Sequence, residues 1–244
     1  MMNWNLENIL SGLIDIIFPP RCLLCGSFRA EVHGGVLCND CFSRISFTGS
    51  PLCPCCGLPF QVDGASNHLC GECAAGNQPF SRARSLARYE NTMLDAVHLF
   101  KYRGNRGIGR FLGKLMAEHG YDDFDVGRYS RIMPVPLHPA KLRKRGFNQA
   151  LVLARKIAER YSLLLDFSSL ARKTDTSPQV GLEKKDRLLN VRGAFTVTNP
   201  AAVRGERILL IDDVYTTGST VKECARVLRR RGAREVAILT LARA

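Results

Sequence analysis

The chain has 244 residues, 45% of them hydrophobic, with 35 Lys and Arg against 22 Asp and Glu and a formal charge of +13. That composition excludes a disordered or collagen-like chain, and the length suffices for one large domain or for a small one followed by a medium one. The charge is divided: residues 1–80 carry three basic residues (Arg21, Arg29, Arg44) and six acidic ones, which leaves +16 for the remainder and points that part towards phosphate-rich ligands, nucleic acid or an anionic membrane surface.

At the N-terminus Leu6, Ile9, Leu10, Leu13, Ile14 and Ile17 recur at helical spacing until Pro19 and Pro20, so residues 1–20 read as an amphipathic helix. Glu7, Asn8 and Asp15 interrupt the run and no Lys or Arg precedes Arg21, so it is read neither as a membrane span nor as a signal peptide. Packing on its own protein is the ordinary use of such a helix; contact with a membrane surface or a partner is the alternative.

Residues 21–80 hold nine of the ten cysteines, and Cys224 stands alone. Eight of the nine form Cys-x-x-Cys pairs, Cys22/Cys25, Cys38/Cys41, Cys53/Cys56 and Cys70/Cys73, separated by twelve, eleven and thirteen residues. Two residues between thiolates let both sulfurs of a tight knuckle reach one tetrahedral ion, and a second knuckle a dozen residues on completes the coordination. A disulfide scaffold fits poorly in a chain with no secretion signal and enough length to fold without staples, and redox motifs do not come four at a time. Two structural Zn²⁺ sites are expected, wired either sequentially or with the pairs interleaved. Both would be closed by four sulfurs, so hydrolytic zinc chemistry is not expected, and Cys55 is a spare. Thiolates in this number keep the head acidic, which makes it a scaffold or a protein contact rather than a phosphate binder.

Residues 81–244 read as one α/β domain. Residues 81–128 contain Phe100-Lys-Tyr-Arg-Gly104 and no recognisable base-binding pattern. Arg131 to Pro136 is expected as the first core strand, followed by a loop that carries Lys141, Arg143, Lys144 and Arg145 within five positions and by a helix from about Asn148. Of these cations Arg145 is singled out, because Gly146 lets the backbone approach a ligand. The polar stretch from Arg172 to Asn190 is long for a loop in a compact domain and is read as functional, with Arg172, Thr174, Gln179, Arg187 and Asn190 as candidate contacts.

The most informative segment is Arg207 to Thr220. Ile208 to Ile211 is an apolar run of the kind a buried parallel strand shows, while Val221, Ala225 and Leu228 mark the face of a helix that Gly232 closes. Thr216, Thr217, Gly218, Ser219 and Thr220 lie between them, where backbone N–H groups at a helix N-terminus and side-chain hydroxyls favour a phosphate. Asp212 and Asp213 sit just before that turn; they cannot hold phosphate, but they suit the vicinal hydroxyls of a ribose with Mg²⁺ nearby. No lysine follows the glycine, so the turn is not a Walker A loop. The last strand, Glu235 to Leu241, leaves no room for a C-terminal hood, so a wall over an acceptor is expected from the Cys-rich head or from residues 81–128.

Two acids, an apolar residue and a later Thr-Gly-x-Thr, placed after an apolar strand, closely resemble the phosphoribosyl pyrophosphate loop of type I phosphoribosyltransferases. That resemblance implies a parallel sheet with helices on both faces, preceded by a small zinc-ribbon domain. It implies catalytic roles for Asp212, Asp213 and Arg145 and places Lys141, Arg143 and Lys144 in a pyrophosphate loop. Thr216 to Thr220 would hold the 5′-phosphate, and the Arg172 to Asn190 segment would be a loop that closes over the site. Together with Phe100-Lys-Tyr-Arg-Gly104, Arg145-Gly-Phe-Asn-Gln149 and the paired cysteines, the whole pattern resembles the ComF/GntX family. Membership implies a cytoplasmic bacterial protein associated with natural competence, with incoming single-stranded DNA or with DNA as a nutrient. Phosphoribosyl pyrophosphate, single-stranded DNA and DNA-uptake proteins are its expected partners, and the inner-membrane surface is a further expected location. Two readings stay open: a phosphoribosyltransferase of unnamed acceptor, and a non-enzymatic module that binds nucleotide or DNA and recruits the uptake machinery.

Overall fold

The structure is a computed structural model and describes residues 21–28, 32–60, 66–76, 78–121, 123–174 and 191–244. The amphipathic segment 1–20 lies outside them.

Among its described residues the Cys-rich part holds little regular structure. Strands β1 (Val32–His33) and β2 (Leu37–Cys38) form a small hairpin, and two short helices, α1 (Asn39–Ser43) and α2 (Gly71–Ala74), each start directly after a cysteine. Next come β3 (Arg82–Arg88), α3 (Asn91–Tyr102), α4 (Arg106–Glu118) and β4 (Arg131–Pro134). Helices α5 (Pro139–Arg145) and α6 (Gln149–Tyr161) follow, with strands β5 (Leu164–Leu165), β6 (Leu170–Arg172) and β7 (Phe195–Val197). The chain closes with β8 (Arg207–Tyr215), α7 (Ser219–Arg230) and β9 (Glu235–Arg243).

Five strands form one sheet in the order β3-β9-β8-β4-β5, and every pairing in it is parallel. Such a sheet is buried on both faces, which explains why β8 shows Ile208 to Ile211 as an unbroken apolar run rather than an alternation. Ile132, Leu209, Ile211 and Leu239 face a core shared with Phe100 of α3, Leu112 of α4 and Leu153 of α6. Met133, Ile208, Leu210 and Ile238 face a second core with Phe195 of β7 and Leu228 of α7.

The two halves of the Cys-rich segment fall on opposite sides of this sheet. Cys22, Leu37, Cys38, Cys41 and Ile45 belong to the first core, whereas Cys53, Cys56, Cys70 and Phe80 belong to the second. The chain passes from one face to the other along the sheet's edge. There Thr48 N–H donates to the Leu86 carbonyl at 2.9 Å and Arg88 N–H to the Ser46 carbonyl at 2.8 Å, pairing Phe47 antiparallel with Ala87 and covering the exposed edge of β3. Buried Arg84 ties β3 to the second half: Nη2 donates to the Pro54 carbonyl at 3.1 Å and Nε to Asp123 Oδ1 at 2.8 Å. Gly57, at φ 68, completes the fit, since a Cβ there would stand 2.6 Å from the Ala83 carbonyl oxygen.

Two expectations differ from the structure. Arg131 to Pro134 is not the first strand of the sheet, because β3 precedes it; the Arg-rich sequence of β3 lacks an apolar run, and Arg84 is accommodated through Asp123 and Pro54. Nor do Lys141, Arg143, Lys144 and Arg145 occupy a loop: they lie on α5, which His138 caps, Pro139 opens and left-handed Gly146 ends.

Candidate functional site

The polar turns gather at the carboxyl ends of the adjacent strands β4 and β8, where ligands collect in open α/β sheets. β8 delivers Asp212 and Asp213. Asp213 N–H donates to Asp212 Oδ1 at 2.9 Å, and Asp213 Oδ1 pairs with Lys101 Nζ at 2.9 Å. Lys101 lies in the last turn of α3 and belongs to the Phe100-Lys-Tyr-Arg-Gly104 motif, but the sequence does not mark it as a site residue, because its partner carboxylate comes from β8. Burial works to lower its pKa, but the Asp213 carboxylate outweighs this and holds the ammonium above the ordinary lysine value. Burial first, and the Asp213 charge second, push Asp212 up to about 7.

After the acids the chain turns through Thr216, Thr217 and Gly218 into α7. Gly218 is left-handed at φ 71, and a Cβ on it would clash with the Tyr215 hydroxyl and the ring carbon that carries it. Thr217 Oγ1 lies 2.7 Å from Ser219 Oγ and accepts from Ser219 N–H at 3.4 Å, while Lys222 N–H donates to the Gly218 carbonyl at 2.8 Å. Thr220 is in the first turn of α7.

From β4 the chain continues beside β8, with Val135 N–H bonded to the Ile211 carbonyl at 2.8 Å, and then enters α5. Arg143 and Lys144 are exposed, whereas Lys141 and Arg145 are half-buried. Arg145 Nη1 donates to Oε1 of buried Gln149 at 3.3 Å, and Asn148 Nδ2 fastens the start of α6 to the Val135 carbonyl at 3.0 Å. The two motifs singled out separately in sequence meet here. Phe147 packs on Phe100 with centroids 5.6 Å apart, and the Arg106 guanidinium lies 5.3 Å from the Phe147 centroid.

Arg172 ends β6 with its guanidinium 5.3 Å from the Phe195 ring, and its Nε donates to the Thr174 carbonyl at 3.4 Å. Its charge works to lower the pKa of Asp212. Gln179, Arg187 and Asn190 lie outside the described residues.

The cysteines are wired sequentially. The sulfurs of Cys22, Cys25, Cys38 and Cys41 lie within 4.8 Å of one another, and so do those of Cys53, Cys56, Cys70 and Cys73. Cys25 and Cys38 Sγ are 3.7 Å apart, as are Cys56 and Cys70 Sγ. This separation fits two corners of a tetrahedron with metal–sulfur bonds of about 2.3 Å and is far beyond a disulfide's roughly 2.05 Å. Both sets fit a closed Cys₄ zinc site. Between the second site and the turn after β8 lies a cleft of about 430 Å³, lined among others by Glu72, Gln78, Tyr215, Thr216, Thr217 and Lys222.

Paired acids before a threonine-rich turn, on a parallel sheet with a double Cys₄ head, define a phosphoribosyltransferase-like domain carrying a double zinc ribbon. Family models agree: a double zinc ribbon domain matches residues 13–74 and a phosphoribosyl transferase domain matches residues 144–244. DNA utilization protein YhgH of Escherichia coli (strain K12) is 33% identical over 229 residues, covering 92% of this chain and 97% of that protein. Competence protein F of Haemophilus influenzae is 29% identical over 232 residues, with the same 92% and 97% coverage. Competence protein ComFC of Bacillus subtilis is 29% identical over 241 residues, with 91% and 94% covered. The chain belongs to the ComF/GntX family. Among solved structures, glutamine phosphoribosylpyrophosphate amidotransferase from B. subtilis is 20% identical with a TM-score of 0.36; 54% of this chain matches and it spans only 25% of that one. Orotate phosphoribosyltransferase from Aeropyrum pernix is 22% identical with a TM-score of 0.32, covering 56% of this chain and 60% of that one. Among the described residues no helix is long and apolar enough to cross a membrane.

Proposed function

We propose that the protein binds phosphoribosyl pyrophosphate with Mg²⁺ and acts as a phosphoribosyltransferase in competence or DNA utilisation, the processes for which its relatives are named. One observation carries this reading: the Asp212–Asp213 pair sits at the end of β8 between the Thr216–Thr220 turn and the basic helix that follows β4. The turn's N–H groups and hydroxyls take the 5′-phosphate, the acids take the ribose hydroxyls, and the cations of α5, with Arg145 held by Gln149, take the pyrophosphate.

Asp212 and Asp213 fit a divalent cation, since the one lysine beside these adjacent carboxylates pairs with Asp213 and a metal ion would displace the proton that Asp212 otherwise keeps near neutrality. Bound there, Mg²⁺ would supply charge for the developing pyrophosphate. In the transfer, the acceptor's nucleophile bonds to the anomeric carbon as the carbon–oxygen bond to pyrophosphate breaks, and the electron pair leaves with pyrophosphate. The transition state is oxocarbenium-like, so the residues act by fixing the donor and neutralising the leaving group. The knuckle that lines the cleft beside Thr216 and Thr217 offers a wall for the acceptor. Calorimetry with phosphoribosyl pyrophosphate tests the reading: affinity should rise with Mg²⁺ and fall in the double variant Asp212→Asn, Asp213→Asn with the fold retained. Equal affinity in wild type and variant would sink it.

A second reading is favoured by the surface beside α5. Tyr102 is 67% exposed, Arg103 adjoins it, and the Arg106–Phe147 stack leads from there to Arg143 and Lys144. Aromatic faces among cations suit single-stranded DNA. An oligonucleotide should bind with affinity that falls steeply with salt, and saturating phosphoribosyl pyrophosphate should displace it if α5 serves both ligands. Binding that ignores salt, or that Tyr102→Ala together with Arg106→Ala leaves intact, would discard this surface.

A further inference from the structure

Two lines of contact run from the second cysteine site to the turn at Gly218. In the first, Arg243 of β9 donates from Nη1 to the Cys56 carbonyl at 2.7 Å and from Nη2 to Cys56 Sγ at 3.6 Å. The same guanidinium lies 4.3 Å from the centroid of the Tyr215 ring, and that ring fills the space beneath Gly218. In the second, Glu72, which stands between the ligands Cys70 and Cys73, pairs with Lys222 of α7, whose own N–H is bonded to the Gly218 carbonyl. Arg243, Tyr215 and Lys222 are all buried, so the first line runs through packed protein, while in the second the exposed Glu72 reaches buried Lys222 at the wall of the cleft. The first site is placed differently. Outside the cluster, Cys25 Sγ contacts Ser27 and Cys41 Sγ contacts Arg44, and the site's hairpin meets Phe111 of α4 at Gly34, on the opposite face of the sheet.

We infer that the second Cys₄ site anchors the phosphate turn: with its four sulfurs gathered on a metal, Cys56 and Glu72 hold Arg243, Tyr215 and Lys222 against Gly218, and emptying that site loosens residues 215–222 while emptying the first does not. The inference rests on reading residues 216–220 as the phosphate cradle only for its consequence, which is weaker ligand binding. The physical cause is local. A left-handed glycine that opens a helix has many alternative conformations, and it keeps one because the Tyr215 ring crowds it and the first backbone bond of α7, from Lys222 N–H, ties its carbonyl. Tyr215, Lys222 and Arg243 are therefore positioning residues, and zinc at the second site is part of the turn's support although it touches no ligand.

The test uses the full chain and reads hydrogen exchange over residues 212–224, zinc content and affinity for phosphoribosyl pyrophosphate with Mg²⁺. Three variants are compared: Cys73→Ser at the second site, Cys25→Ser at the first, and Arg243→Leu, which cuts one line and keeps all eight ligands. Cys73→Ser and Arg243→Leu should speed exchange over 212–224 and weaken binding about tenfold, the scale of one buried cation–π contact with its hydrogen bond, while Cys25→Ser stays within about threefold of wild type. Arg243→Leu should also retain both zinc equivalents. Native exchange over 212–224 in Cys73→Ser protein that has lost one zinc equivalent overturns the inference, as does equal loosening by Cys25→Ser. Should Cys73→Ser not fold, Arg243→Leu decides, and native exchange in it is again fatal. Failure of wild type to bind phosphoribosyl pyrophosphate removes the proposed ligand but not the anchor, which exchange still reads.

Discussion

Lys101 shows what sequence spacing hides at the scale of single residues. It lies more than a hundred positions from Asp213, and only the packing of α3 on the sheet brings its ammonium to 2.9 Å from that carboxylate. Replacing it by Met removes a charge that works to lower the pKa of Asp212, so Asp212 should hold its proton to higher pH. Affinity for Mg²⁺ alone in Lys101→Met, followed by calorimetry from pH 6 to 9, should shift its midpoint upward; an unchanged midpoint would remove Lys101 from the site. In the wild type Asp212 is already raised to about 7 from an ordinary 3.8, with burial as the larger cause and Asp213 as the smaller. The folded state then holds a proton that the unfolded chain gives up, so stability from this group is present below about pH 4 and is lost as pH rises to about 7. Asp212→Asn should therefore raise Tm at pH 8 relative to wild type and change it little at pH 4. A Tm difference that does not grow between those two pH values contradicts the assignment. The acids themselves were legible because a ribose-and-phosphate turn has to be written contiguously; their cationic partner was not, because it comes from another element.

Among the elements, the strand–turn–helix of β8 and α7 was readable because both of its signals are local, an apolar run and a helical face. β3 was not, since its Ala, Ser and Arg residues carry no strand pattern and its burial is secured by Asp123 and by the Cys-rich segment. α5 was misread for the converse reason: its run of cations looks like a solvated loop, and its ends, His138, Pro139 and Gly146, are what make it helical. The join between α3 and α4 is equally invisible in sequence. Gly109 of α4 lies so close to Phe100 that a Cβ would clash with the edge of the ring. Gly109→Val should therefore push Phe100 aside, at a stability cost of about 1–3 kcal/mol. Because Phe100 precedes Lys101 and packs on Phe147, the same change should weaken both Mg²⁺ and pyrophosphate binding. Chemical denaturation beside calorimetry checks it: full stability with native affinity would mean that the two helices do not fix the site.

For the molecule as a whole, the cysteine arithmetic gave two ions and left their wiring open, and it gave no hint that the two ribbons clasp opposite faces of the sheet. Pair spacing fixes which sulfurs can meet, whereas the placement depends on Leu37 and Ile45 sharing a core with α4 and Phe80 sharing one with α7, elements far away in sequence. The packing then decides how the protein should respond to a chelator, which takes both metals at once. Stripping both metals from a head that hung on a linker would leave a sheet with its own melting transition. Here it uncovers apolar surface on both faces and frees the edge of β3, so the sheet cannot keep its stability when the ribbons go. The purified protein should contain close to two zinc equivalents, and metal removal under reducing conditions should lower the far-ultraviolet signal and near-ultraviolet fine structure of the whole chain together, with recovery when zinc is returned. A chelated protein in which β8, β9 and α7 keep native hydrogen-exchange protection would show instead that the sheet stands alone and that the shared cores are incidental to its stability.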